Sequence, residues 1–210
     1  MKLHFTILFL FLSFMLASCS SPITYDVHFV GVSYDAKNRR TVISAIDSTD
    51  QFKIVELTGA IMELGPNIDK SEASFVAREA VLYPKHLANE YRLVGPPNTH
   101  VVMVNTGQRE RGHCYHFASD MKEHIVTGRT YNTLTLQRAV AFQGRQFEHN
   151  VLTVAAKGKG IDDAIILDPW RNSANLYWVK TDDDPSYIWK KYIPRTYSVK
   201  PTRAASKKVN

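Results

Sequence analysis

The chain has 210 residues, a hydrophobic fraction of 44% and a formal net charge of +6 at pH 7. This composition is typical of a globular protein and argues against an intrinsically disordered chain. Beyond the amino-terminal segment no long apolar stretch exists, which argues against a polytopic membrane protein.

The excess of positive charge is concentrated at the carboxyl end, where no acidic residue follows residue 190. We predict a basic disordered tail over residues 198–210. A solvated tail is the simpler interpretation, and contact with anionic lipid headgroups or cell-wall polymer is the alternative. The basic residues of this region are Lys190, Lys191, Arg195, Lys200, Arg203, Lys207 and Lys208.

The amino-terminal segment has the pattern of a signal peptide. After Lys2, residues 5–16 form a twelve-residue run in which only Thr6 and Ser13 are polar. Such a run is shorter than the ~20 apolar residues that span a bilayer and suits the hydrophobic region of a signal peptide. We therefore expect export, which makes nucleic acid a poor partner.

The run ends in Leu16-Ala17-Ser18-Cys19, which resembles the lipobox of bacterial lipoproteins. That resemblance implies a diacylglyceryl group on Cys19, cleavage before it and an acylated new amino terminus. Ordinary secretory cleavage after Ser18 is the alternative. We predict a signal peptide over 1–18, a lipidated anchor and spacer over 19–24, and a lipid-anchored protein of the cell envelope. The serines at 20 and 21, in place of aspartate, favour the outer membrane in a Gram-negative cell.

The elements of the first half follow from periodicity and from turn and capping signals. A capping box formed by Ser48 and Gln51 predicts a helix that Gly65-Pro66 ends. A second helix begins at Asp69 or Ser71, and we expect Pro84 to break it. The other expected elements are strands over 25–34, 41–46 and 100–105 and a loop over 95–98.

The second half is richer in strands. We predict a helix over 114–126 that ends at Gly128, followed by strands over 134–142, 149–156, 164–167 and 176–180. A helix is the alternative for the segment over 134–142. A helix-rich half followed by a β-rich half indicates one α+β domain over residues 25–197.

Cys114 is the candidate nucleophile. If Cys19 carries lipid, Cys114 is the one remaining thiol in an oxidising compartment, which suggests intermolecular pairing or a reactive thiol. It opens the predicted helix, where backbone N–H groups and the helix dipole favour a thiolate. Gly112 would let the chain approach a substrate closely. The alternative is a buried structural cysteine that packs as a small hydrophobic residue.

His149 and Asp168 are candidate partners of this thiol. A hairpin centred between Gly158 and Lys159 would place them directly opposite each other, on one face of the sheet. The carboxylate would then accept the imidazole N–H and stabilise the cationic ring. Trp170 would shield this bond from water or be a plain core residue.

These residues together resemble two related groups of thiol enzymes. Gln108, six positions before Cys114, followed by His149 and Asp168, is similar to the papain-like cysteine peptidase superfamily. The helix start Gly-x-Cys, the strand-opening histidine and the strand-ending Asp-Pro are closer still to transglutaminase-like cysteine proteins, although Tyr115 follows the cysteine where tryptophan is common. The resemblance covers residues 105–180. It implies a papain-like (transglutaminase-like) fold, with the nucleophile helix packed on an antiparallel sheet, and an oxyanion-hole role for Gln108.

The resemblance implies a cell-envelope thiol hydrolase, of the peptidase or amidase type, acting on a peptide or cell-wall amide. The alternatives are an amine-transferring acyltransferase and a catalytically silent module that binds cell-wall or protein partners. We expect neither a cofactor nor a metal, because His113, Cys114 and His116 lie too close together for a usual zinc site. The run Asp182-Asp183-Asp184 lacks the glycine and glutamate of an EF-hand and is expected to be a solvated turn.

Overall fold

A computed structural model describes residues 23–195. The predicted signal peptide, the Cys19 anchor and the tail over 198–210 lie outside the described residues. Within them, helices precede a five-stranded antiparallel sheet, which confirms the predicted α+β class. The helices of the described part are α1 (Ser48–Met62), α2 (Lys70–Tyr91), α3 (Pro97–Asn105) and α4 (Cys114–Gly128).

The main sheet has the strand order β8-β7-β6-β5-β9 and is antiparallel throughout. Its strands are β5 (Leu134–Ala141), β6 (His149–Ala156), β7 (Ile165–Asp168), β8 (Tyr177–Lys180) and β9 (Lys190–Lys191). Four short strands form two separate antiparallel pairs, β1 with β4 and β2 with β3. They are β1 (Tyr25–Asp26), β2 (Val32–Asp35), β3 (Arg40–Ile43) and β4 (Val94–Gly95).

Helix α1 begins one residue earlier than its capping signal predicts. The N-cap is Asp47, whose Oδ1 accepts from the Asp50 N–H at 2.8 Å, so Ser48 is the first helical residue instead. A carboxylate at this position also interacts favourably with the helix dipole, which a serine hydroxyl does less well.

Helix α2 begins as predicted but does not break at Pro84. Asp69 is its N-cap and accepts from the Glu72 N–H at 2.9 Å, and the helix then continues to Tyr91. Proline removes one backbone hydrogen bond, to the carbonyl of Ala80. The helix tolerates this loss because much of its length, Pro84 included, is buried against the core.

The predicted loop over 95–98 and strand over 100–105 are wrong, since helix α3 occupies this region. Pro97 is its first residue, the position where a missing N–H costs nothing and the fixed φ already suits a helix. A short apolar run does not distinguish strand from helix by periodicity, and the buried His100 shows which face packs inward.

The core has two parts, one on each face of the main sheet. The larger lies between the sheet and helices α1, α2 and α4, and α4 packs along β5 and β6. Its fully buried members include Leu57, Ile61, Val76, Leu82, Phe117, Met121, Leu152 and Leu167. The smaller, on the opposite face, is built around Val151, Ile166 and Trp189.

None of the helices between residues 23 and 195 combines the length and the apolar character needed to cross a membrane.

Candidate active site

Cys114 is the first residue of α4 and is 9% exposed. Its Sγ lies 3.8 Å from the backbone carbonyl oxygen of Glu148, to which the thiol donates. As the first helical residue, Cys114 has a backbone N–H without an intrahelical acceptor. The thiol and this N–H therefore occupy the same helix end, where a nucleophile and an oxyanion donor are needed together.

A neutral histidine holds the start of α4. His116 Nδ1 accepts from the backbone N–H groups of Gly112 and His113, both at 3.1 Å. Burial, followed by the positive charge of Arg111, lowers the pKa of His116 to about 4. The ring is thus unprotonated at neutral pH, as an accepting Nδ1 requires.

The turn before α4 packs against a second buried histidine. His100 accepts the Val94 N–H on Nδ1 at 3.1 Å, and its Nε2 donates to the Arg111 carbonyl at 2.8 Å. Gly112 has φ +125°, and a Cβ there would lie 2.1 Å from His100 Nε2. Glycine is needed at 112 because a side chain there would overlap His100, and the expected close approach to a substrate stays a prediction.

His149 and Asp168 meet, although not in the predicted register. His149 Nε2 lies 2.7 Å from Asp168 Oδ2. The β6–β7 register pairs Leu152 with Leu167, so His149 and Asp168 are diagonal neighbours and not directly opposite. Two turns lengthen the connection over 157–164, which shifts the pairing by two residues. A two-residue shift keeps both side chains on one face, and a diagonal pair is within reach of long side chains.

Three aromatic rings surround the buried His149. The ring centroids of Trp170, Tyr187 and Trp189 lie 5.0, 4.8 and 5.5 Å from that of the imidazole. Trp170 also packs against the larger core, as expected of a core residue. The rings exclude water from the His149–Asp168 bond and thereby strengthen it.

The pKa of His149 is raised to about 9. Burial acts against the charged ring and lowers this pKa, but the hydrogen bond with Asp168 and, after it, the neighbouring Cys114 raise it. Because Nε2 faces Asp168, Nδ1 is the nitrogen left for Cys114. The imidazole is therefore held in its cationic form at neutral pH between a carboxylate and the thiol.

Two residues that the sequence did not assign to the site complete this network, Arg171 and Asp184. Asp168 accepts from the Arg171 backbone N–H at 3.2 Å and from its Nε at 3.1 Å. The two terminal nitrogens of the Arg171 guanidinium also donate hydrogen bonds to the two carboxylate oxygens of Asp184, at 3.2 and 2.8 Å. Asp184 has a fully buried side chain and accepts from Trp189 Nε1 at 2.9 Å, so the expectation of a solvated turn is wrong for this residue.

The sequence spacing gave a weak indication that Arg171 contacts the site, and it gave no indication for Asp184. Arg171 follows Asp168 by three residues on a short turn, a spacing that brings the two side chains together. Asp184 reaches the network only because the chain returns after β8, which sequence spacing does not reveal.

The structure does not bring Gln108 to the thiol. Its amide nitrogen donates to Thr106 Oγ1 at 2.9 Å, and within residues 23–195 no hydrogen bond joins it to Cys114. The Gln108 backbone N–H donates to the Met103 carbonyl at 2.8 Å, which folds this residue back onto the end of α3. Of the two predicted oxyanion donors, the Cys114 N–H is the one that lies at the site.

Among the described residues, no group of three or more His, Cys, Asp or Glu side chains is arranged to hold a metal ion. His116 uses Nδ1 to fix the start of α4.

Comparison of the chain with protein-family models, with curated proteins and with solved structures finds no match.

Proposed function

We propose that the protein is a thiol hydrolase of the cell envelope, of the peptidase or amidase type, with a papain-like (transglutaminase-like) domain. The observation that carries the proposal is His149, which Asp168 holds at 2.7 Å and which directly follows Glu148, the residue whose carbonyl Cys114 Sγ contacts at 3.8 Å. In this proposal Cys114 is the nucleophile, His149 is the base and Asp168 is the carboxylate that orients the base, which together form a catalytic triad.

The reaction starts from a thiolate beside an imidazolium, because the raised pKa of His149 keeps the Cys114 proton on the ring at neutral pH. The thiolate attacks the carbonyl carbon of an amide, and the C=O π electron pair moves onto the oxygen. The Cys114 N–H donates to this oxyanion. Asp168 stabilises the imidazolium throughout and does not itself take up the proton.

In the second half, the C–N bond breaks as the imidazolium protonates the leaving amine, and a thioester remains on Cys114. Water then attacks the thioester carbonyl while His149 accepts a proton from it. The C–S bond breaks, a carboxylic acid leaves, and the thiolate–imidazolium pair is restored. An amine in place of water would give the amine-transfer alternative with the same residues.

The catalytically silent alternative is favoured by one observation. Cys114 is only 9% exposed, and its Sγ donates to the Glu148 carbonyl. A buried thiol with a backbone acceptor also describes a structural cysteine. Reactivity of the thiol separates the two functions.

The deciding experiment measures alkylation of Cys114 by iodoacetamide at pH 7 in the full chain, read by mass spectrometry of the Cys114 peptide. We expect labelling faster than that of a model thiol, and a loss of roughly 10-fold or more in His149→Ala. His28→Ala, at an exposed histidine, is the matched control and keeps the rate. Ordinary labelling that does not depend on His149 would favour the silent module.

The anchor is tested separately, on Cys19. We propose that labelled palmitate enters the full chain in cells and that Cys19→Ala loses both the label and the attachment to membranes. A Cys19→Ala protein that stays with the membrane fraction after its leader is cleaved would overturn the anchor while leaving the thiol chemistry untouched.

A further inference from the structure

A groove lies beside the loop that connects β5 with β6. It has a volume of about 350 Å³ and is bordered by that loop on one side and by the residues around β9 on the other. Phe142, Ile188 and Ile193 line it and are 49, 82 and 69% exposed. Several large apolar side chains that are exposed next to one another mark a surface that binds a ligand or another protein.

The charged residues that line the groove are all positive. Arg145, Lys190 and Lys191 line it, and no lining residue is acidic. On the same loop, Glu148 is already bound by the Arg195 guanidinium, by the Gly144 N–H at 2.6 Å and by Asn150 Nδ2 at 3.1 Å. The groove thus offers apolar contact and three cations to a ligand, and no carboxylate to repel an anion.

The groove lies near the thiol site, with the Tyr187 ring between its Phe142 and His149. The Phe142 ring centroid lies 6.2 Å from that of Tyr187, which in turn lies 4.8 Å from that of His149. The loop that carries Phe142 also ends at Glu148, whose carbonyl accepts from Cys114. A substrate held in the groove would therefore lie next to the site and would reach Cys114 past the Tyr187 ring.

We propose that this groove is the substrate-recognition subsite of the thiol hydrolase and that it takes an acidic peptide segment with an apolar side chain. The inference rests on the proposed function and adds its substrate class. Phe142, Ile188 and Ile193 would bury the apolar side chain, and Lys190, Lys191 and Arg145 would pair with the carboxylate. The concave shape and the contacts leading to His149 favour a peptide over a flat lipid surface.

The test uses two peptide vinyl sulfones that differ in one side chain, glutamate in one and lysine in the other, next to a common leucine. The second-order rate of Cys114 labelling is measured for each on the full chain. We expect the wild type to react roughly 10-fold faster with the acidic probe, because its carboxylate pairs with the cations of the groove. The double variant Lys190→Glu and Lys191→Glu should reverse this preference.

The matched control is the double variant Lys157→Glu and Lys159→Glu, in the turn after β6, which should keep the wild-type preference. An unchanged iodoacetamide rate in both double variants shows that the thiol site remains folded.

Equal rates for the two probes on the wild type would overturn the subsite and leave the proposed function standing. Failure of all three reagents to react faster with Cys114 than with a model thiol would instead overturn the proposed function. Protection of Lys190 and Lys191 from acetylation by phosphatidylglycerol vesicles, without any preference between the probes, would assign the groove to lipid and also overturn the subsite.

Discussion

Asp168 is shared between two cationic side chains, His149 and Arg171. Asp184 binds the other side of Arg171, so two carboxylates and two cations alternate along one buried chain of contacts. Each charge has a partner on at least one side, which is the condition under which buried charges are tolerated. The removal of one member leaves a neighbour buried and unpaired, so the network is sensitive at every position.

For Asp168→Asn we expect the pKa of His149 to fall from about 9 toward its ordinary value, because an amide does not stabilise the imidazolium. The iodoacetamide rate at Cys114 should fall with it. NMR titration of the imidazole measures the first effect independently of any activity. Asp163→Asn, at an exposed residue that pairs with Lys159, is the control and should leave both quantities unchanged.

For Arg171→Met we expect a loss of about 2–3 kcal/mol in the free energy of unfolding, since Asp184 remains buried without its ion-pair partner. Urea denaturation measures this loss. Arg145→Met, at an exposed position on the loop after β5, should change the free energy of unfolding by less than about 0.5 kcal/mol. Equal effects of the two substitutions would contradict the structural role given to Arg171.

At the scale of the element, the start of α4 depends on a histidine in its own first turn and on another that packs under the preceding residues. His116 satisfies the N–H groups of Gly112 and His113, and His100 packs under the glycine. The position of Cys114 relative to His149 is therefore set by this turn as well as by the packing of α4 on β6.

For Gly112→Ala we expect destabilisation by about 2–3 kcal/mol, because φ +125° is strained for alanine and its Cβ would overlap His100. Iodoacetamide labelling of Cys114 should slow as well, since the helix start moves. Thermal unfolding and the labelling rate test the two effects. Gly160→Ala, where no heavy atom lies within 4 Å of the new Cβ, is the matched control.

The sequence predicted elements best where local signals were strong. Helix α4, with glycines at both ends, and strand β6 over 149–156 were predicted with boundaries within two residues. The predictions were wrong where the surrounding structure determines the secondary structure. Helix α2 continues through Pro84 because it is buried, and residues 100–105 are helical because Pro97 begins a helix.

The candidate site was predictable as far as its residues lie beside short motifs. Cys114, His149 and Asp168 were identified from helix and strand ends, even though the register between the two strands was wrong by two residues. Gln108 was placed by spacing alone, and the turn at the end of α3 directs it elsewhere. Asp184 depends on a long-range return of the chain, which no local pattern carries.

At the scale of the whole molecule, buried histidines affect stability in opposite directions. The raised pKa of His149 adds stability that is complete below the ordinary value near 6.5 and is lost as the pH rises toward 9. Burial lowers the pKa of the other affected histidines, so the unfolded chain takes up their protons first and stability falls as the pH drops below 6.5. These are His86, His100, His113 and His116.

We therefore expect the free energy of unfolding to be greatest near pH 6.5 and to decrease on both sides. Urea denaturation at pH 5, 6.5 and 8.5 measures this profile. In His149→Ala the decrease on the alkaline side should be smaller, while the acidic side keeps its slope. A steady rise in stability from pH 5 to pH 9 would contradict the charge state assigned to His149.

The burial of Cys114 has a consequence for survival outside the cytoplasm. Cys114 is 9% exposed, so little of its thiol surface is open to the thiol of a second folded protein. The rate of disulfide exchange depends on access to the attacking sulfur, so the burial of Sγ slows exchange with a disulfide of another protein and protects the one thiol of the described residues against cross-linking.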